Sequence, residues 1–307
     1  MDWITNNFKG YGGLNIYYYK KLPKNTPVAV LQISHGMGEH AKRYFDLTQY
    51  LNSKGIAVYA ADHPGHGQSA ASQDMLGNCG PESFEGIMEN MRILNRLIHE
   101  ENSGIPVFLL GHSMGSFESI FYMQKYSDTI SGCILSGTNF KQNPFLLHAG
   151  KFLAYIIMKV KGKDRLSKYL TDMVFVPYNI KFEPAETKFD WLSTDKKTVT
   201  EYVNCPYCGH NFTASFFYFL SKGLLEIYKD KNLLKIKKTL PIFIMYGSMD
   251  PVGEFGKGPK ELYYFFIKNG YTTDIKSYEG FRHEIFNETN RTLAYSDLYD
   301  WLIKNIP

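Results

Sequence analysis

The apolar positions of this chain fall into short continuous runs separated by periodic, half-polar stretches. Val28–Ile33, Ile56–Ala61, Val107–Leu110, Ile130–Leu135 and Ile242–Tyr246 each predict a buried strand, and Thr273–Tyr278 predicts a sixth. Between several of them apolar residues recur three and four positions apart. Tyr44–Lys54, Phe84–Glu101, Phe117–Tyr126 and Lys260–Asn269 therefore predict amphipathic helices, and Asn290–Ile306 a closing one. Strand runs with no polar face need cover on both sides. Their alternation with helices points to βαβ units and a mostly parallel sheet.

The alternation stops between about Asn139 and Lys238. Helix-like patterns and aromatic clusters such as Phe216-Phe217-Tyr218-Phe219 dominate there, and strand signals are few. A helical insertion between two strands of an open sheet sits at the strands' carboxyl ends, where such sheets bind ligands. The expected organisation is an α/β core in two parts, 1–138 and 239–307, with a helical cap from 139 to 238.

Composition changes this picture little. The 307 residues are long enough for a large core, and a formal charge of +4 from scattered lysines favours neither a nucleic-acid groove nor a strong membrane field. Four cysteines are too few for a disulfide framework. The start, Met1 to Asn7, has neither a basic head nor a long apolar segment, and no apolar run approaches bilayer-spanning length. The expected location is the cytoplasm.

Chemistry enters at Gly111-His112-Ser113-Met114-Gly115, directly after the strand Val107–Leu110 and before a helix. Strand, sharp turn bearing serine, then helix is the context in which G-x-S-x-G presents a nucleophile. Acyl transfer through a serine ester is the expected chemistry. It needs an acid and then a histidine later in the chain. Asp250, in Gly247-Ser248-Met249-Asp250-Pro251, follows the strand Ile242–Tyr246; a plain turn aspartate is the alternative. His283, after Thr273–Tyr278, is the late histidine. It would serve as base to Ser113, with Asp250 fixing its tautomer. The oxyanion donors would be the backbone N–H groups of Met114 and, in His35-Gly36-Met37-Gly38-Glu39-His40, Met37.

These loops, together with Asp62-His63-Pro64-Gly65-His66-Gly67-Gln68-Ser69, resemble those of the α/β-hydrolase superfamily, and within it the monoacylglycerol lipase and lysophospholipase-like group of serine aminopeptidase-type hydrolases. The resemblance spans nearly the whole chain and is weakest across the cap. It implies the same triad, Ser113, Asp250 and His283, and the same donors, Met37 and Met114. It also implies ester hydrolysis with no cofactor and no metal, and the expected substrates are single-chain lipid esters such as monoacylglycerols or lysophospholipids. Two other classes stay open: a peptidase holding a substrate ammonium through Glu183 or Glu186, and a noncatalytic binder of an apolar ligand.

Four features remain. Asp62 and His66 read as braces of a glycine-rich turn. Cys205-Pro206-Tyr207-Cys208, with His210 nearby, has the spacing of a redox pair or half a zinc site, but its helical setting favours a structural role. Cys133 reads as simply buried. Phe145-Leu146-Leu147 and Phe152 to Met158, followed by Lys159, Lys161 and Lys163, are more apolar than a surface helix requires. Burial against the core or an acyl tunnel is the first expectation, and transient docking on a lipid surface is the second.

Overall fold

Six consecutive parallel strands make up most of the sheet, and every residue in five of them is buried. In the computed structural model, which describes residues 3–307, the strands are β1 (Ile4–Lys9), β2 (Asn15–Lys21), β3 (Ala29–Ser34), β4 (Ile56–Ala61), β5 (Val107–His112), β6 (Gly132–Ser136), β7 (Ile242–Gly247) and β8 (Thr273–Tyr278). Met1 and Asp2, part of the N-terminal reading above, lie outside the described residues. The order across the sheet is β1-β2-β4-β3-β5-β6-β7-β8. Strands β4 to β8 pair in parallel, whereas β1 and β2 form an antiparallel hairpin on the β4 edge. Register is continuous through the centre: Ile33 faces Leu110, Leu110 faces Ile134, and Ile134 faces Phe243.

The six strands expected from the apolar runs are present, with ends moved by a residue or two. Val28 is left outside β3 and exposed. The hairpin was not foreseen. Ile4–Lys9 is polar along most of its length and largely exposed, so it carries no burial pattern; the Gly12-Gly13 pair before Asn15–Lys21 was its available signal.

Helices cover both faces. On one side α1 (Phe45–Ser53) and α10 (Thr292–Lys304) enclose a core containing Leu47, Leu51, Leu298 and Trp301. On the other, α2 (Ser83–Glu101), α3 (Met114–Tyr126) and α9 (Lys257–Lys268) bury Ile87, Met123 and Phe266. Between β6 and β7 the chain makes α4 (Pro144–Lys161), α5 (Lys168–Asn179), α6 (Lys196–Asn204), α7 (Ala214–Ile227) and the short α8 (Asp230–Leu233). Asn143 caps α4 and Thr213 caps α7, each accepting a backbone N–H two or three residues on.

Helix α4 departs from the first expectation for it. Only Ala154 is fully buried. Leu147, Leu153, Ile157 and Met158 pack toward the core, while Phe145, Phe152 and Val160 are 76%, 65% and 76% exposed. One helix thus has a packed face and a bare apolar face. Among the described residues no helix is long and apolar enough to cross a membrane.

Candidate active site

Ser113 sits between β5 and α3 with φ 53° and ψ −120°, a conformation that costs a non-glycine residue strain. The flanking glycines explain how the turn fits. A Cβ on Gly111 would collide with the Gly115 carbonyl and Ser119 Oγ, and a Cβ on Gly115 would collide with the Ser34 carbonyl on β3. The turn therefore packs directly on backbone, leaving the serine side chain only half-buried in a cavity of about 520 Å³.

His283 lines the same cavity, and Asp250 stands behind it. His283 Nδ1 lies 2.9 Å from Asp250 Oδ1, which also accepts the Val252 N–H at 2.9 Å. Both side chains are buried. Burial by itself lowers the His283 pKa, but the Asp250 carboxylate, with Glu284 and Glu39 further off, raises it above its ordinary value overall. Nδ1 is thereby committed to Asp250 as a donor, which leaves Nε2 to face a reacting group. Ser113 and His283 share no hydrogen bond among the described residues, and such contacts commonly tighten only when substrate binds.

The two expected oxyanion donors, Met37 and Met114, both line the cavity. Met114 is the first residue of α3, where backbone N–H groups have no intrahelical acceptor. Neither N–H is spent on another protein acceptor among the described residues. The Met37 loop is held rigidly. Gly36 N–H donates to Glu39 Oε1 at 2.6 Å, Gly38 N–H to His66 Nε2 at 3.3 Å, and Ala41 N–H to Asp62 Oδ1 at 2.9 Å. Asp62 Oδ2 also accepts the Tyr19 hydroxyl and the Gln68 N–H, both at 2.8 Å. Asp62 and His66 brace a loop, as expected. His35 Nε2 accepts the His63 N–H at 3.0 Å, so its proton is on Nδ1, 2.8 Å from the Gly36 carbonyl.

A buried ion network supports the cavity and was not foreseen. Arg43 reaches Glu39 at 3.1 Å and grips Glu284 with both terminal nitrogens. Burial alone would raise the Glu39 pKa, but Arg43 brings it below the usual carboxylate range. His112, whose ring centroid is 4.7 Å from that of His283, is held near pKa 4 by burial and by the His283 charge, so it stays neutral. The remaining wall comes from the α4–α7 segment. Trp191 O accepts the His283 N–H at 3.4 Å, Leu192 O the Glu284 N–H at 2.8 Å, and Tyr202 donates its hydroxyl to Gly38 O at 2.8 Å. No motif marks Trp191 or Tyr202; their aromatic size was the only signal.

Glu183 and Glu186 are exposed, and neither lines the cavity; Glu186 pairs with Lys196. The carboxylates that do line it, Glu39 and Glu284, are both ion-paired with Arg43 and share its single charge. The apolar wall is made chiefly by Leu146, Leu147, Leu153, Met173, Phe175 and Phe217. Cys79 and Cys133 are buried free thiols whose pKa values burial pushes up.

Comparison with known proteins agrees with this architecture. A monoacylglycerol lipase of Mycolicibacterium smegmatis is 26% identical over 307 residues, covering 98% of this chain and 97% of its own. The Rattus norvegicus monoglyceride lipase is 29% identical, covering 88% of this chain and 80% of its own. A thermostable carboxyl esterase from Bacillus coagulans, solved with glycerol, superposes with a TM-score of 0.93 at 24% identity over the whole of both chains, and so shares the fold. The model of one family, described as serine aminopeptidase, S33, matches residues 25–290. The chain therefore belongs to the serine aminopeptidase S33 family of α/β hydrolases.

Proposed function

We propose that this protein is a serine ester hydrolase for single-chain lipid esters, monoacylglycerols foremost. The observation that carries the reading is the shape of one cavity: Ser113 and His283 share it with an apolar wall of leucines, Met173 and aromatic rings. Its volume of about 520 Å³ lies in the usual range for a pocket that encloses one small ligand. The monoacylglycerol and monoglyceride lipases among its relatives support the same substrate class.

In this reading His283 Nε2 takes the Ser113 proton as Oγ attacks the ester carbonyl, and Asp250 stabilises the imidazolium that results. The Met37 and Met114 N–H groups receive the oxyanion. His283 returns the proton to the departing glycerol oxygen, leaving an acyl-enzyme. Water, deprotonated by the same histidine, then releases the fatty acid. Residues 139–238 form the cap that encloses the acyl chain, and the cores 1–138 and 239–307 carry the triad. Each methylene held in the transition state contributes about 0.8 kcal/mol, so rate should climb with chain length.

The engagement of Glu39 and Glu284 by Arg43 favours esters over peptides with a free amino terminus, because among the described residues each carboxylate lining the cavity is already held in an ion pair and is not aimed at a substrate ammonium. The bare face of α4, with Phe145, Phe152 and Val160 followed by Lys161 and Lys163, suits transient contact with a lipid surface. A cytoplasmic location belongs to the same reading, and the free thiols Cys205 and Cys208 are in keeping with a reducing compartment.

The test is kcat/KM across p-nitrophenyl esters of increasing length, then monoacylglycerol, lysophospholipid, triacylglycerol and an aminoacyl anilide. Rising values with chain length and a preference for monoacylglycerol over triacylglycerol are expected. A preference for acetyl esters alone, or for the anilide, refutes the lipid assignment.

A further inference from the structure

Cys205 and Cys208 occupy the turn after α6, closed by the Cys208 N–H donating to Cys205 O at 3.1 Å. That turn is pressed against the loop that carries Met37. Gly209 N–H donates to Gly38 O at 2.9 Å, the same carbonyl that accepts the Tyr202 hydroxyl. On that loop His40 points its Nε2 to within 3.4 Å of Cys205 Sγ. The cysteine spacing alone offers half a zinc site, and two thiols do not complete a tetrahedral set. The fold supplies a further ligand from 165 residues upstream.

We propose that Cys205, Cys208 and His40 form a binding site for a zinc ion that ties the α6 turn to the oxyanion loop. The two sulfurs and one imidazole nitrogen lie within 4.8 Å of one another. Tetrahedral zinc, with bonds of about 2.3 Å to sulfur and about 2.0 Å to nitrogen, needs its donors roughly 3.5–3.8 Å apart. Closing that difference takes side-chain shifts of about 1 Å, within reach of half-buried residues on a turn. Two thiolates and an imidazole suit a borderline-soft ion, and the absence of a carboxylate from the set disfavours magnesium or calcium.

An entry route is present. His40 and Cys205 also line a second cavity of about 410 Å³, polar and open to solvent, whose walls include Asp195 and Glu201. A fourth coordination position would be left for water. The site is separate from Ser113, Asp250 and His283, and it does not depend on the substrate proposed above. On binding, each thiol loses its proton to solvent, so affinity should rise with pH.

The experiment uses the full chain, reduced and stripped of metal with a chelator. Zinc chloride is titrated by calorimetry, and cobalt(II) is titrated by absorption. One zinc per chain is expected, with cobalt giving a thiolate-to-metal charge-transfer band and the intense visible bands of a tetrahedral site. Cys205→Ser, Cys208→Ser and His40→Ala should each weaken zinc binding by about 100-fold or more, at least the loss seen when a ligand's supporting partner is removed. His148→Ala, at an exposed histidine elsewhere, should leave it unchanged. Zinc should also raise Tm of the wild type but not of Cys205→Ser. Failure of the wild type to bind one equivalent, or a cobalt spectrum without the thiolate band, overturns the proposal. Affinity that survives both serine substitutions overturns it too. The wild-type spectrum decides the matter even where a variant does not fold.

Discussion

Arg43 holds Glu284 with both ends of its guanidinium, joining the loop after β3 to the loop that carries His283 across 241 residues of sequence. The side chains are only 10% and 4% exposed, and a third contact goes to Glu39, which in turn accepts the Gly36 N–H and the Tyr44 hydroxyl. One cation therefore fixes the relative position of the proposed oxyanion donor and the proposed base.

Removing it leaves two buried carboxylates without a counter-charge. Arg43→Ala should lower unfolding free energy by about 3–5 kcal/mol, measured by denaturant titration. Arg43→Lys should recover only part of this, because an ammonium cannot fork onto Glu284. An alanine variant within about 1 kcal/mol of wild type would show the network to be dispensable.

Ser113→Ala removes the proposed nucleophile and adds no bulk. Ester turnover should drop by on the order of 10⁴-fold or more with the circular dichroism spectrum unchanged. Labelling by a fluorophosphonate probe should vanish as well. Substantial turnover by a folded variant removes Ser113 from its role.

The acid limb of the pH profile should report His283. Its neutral form is the base, and Asp250 raises its pKa, so kcat/KM should fall as pH drops through a value above the ordinary 6.5 or so. Asp250→Asn removes the raising charge while burial still lowers the pKa. The limb should then move to lower pH as the rate falls by about 10⁴-fold, since the wrong tautomer is favoured. A limb that stays in place in that variant would exclude this pair as its origin.

Met37 is expected to act through its backbone. Met37→Pro deletes the N–H and should cost about 10²–10³-fold in kcat, whereas Met37→Ala should cost far less. Equal losses would move the role to the side chain.

The bare face of α4 predicts a split between substrates. Phe145→Ser with Phe152→Ser should leave kcat/KM on a short soluble ester unchanged, because neither residue lines the cavity. Turnover of monoacylglycerol in vesicles should fall at least about 10-fold, since each exposed phenyl can contribute about 1.5–3 kcal/mol on entering lipid. Equal effects on both substrates would indicate damage to the cavity instead.

Local pattern carries much of this protein. Strands such as Ile56–Ala61 are legible because burial on both faces requires an unbroken apolar run, whatever the partner. The Ser113 turn is legible because its glycines answer a local steric demand, the approach of backbone to backbone. Asp250 and His283 followed from chain order, which reflects the order of strands in the sheet. Polar contacts between distant segments were not legible. That Arg43 would meet Glu284, that Tyr202 and Trp191 would brace two loops, and that His40 would reach Cys205 all depend on where β3, β8 and α6 come to lie. The polar strand β1 was hidden for a related reason: an edge strand has little to bury, so its place is set by backbone pairing with β2. Periodicity records how much of a residue leaves water; which partner it meets there is decided only when the chain closes on itself.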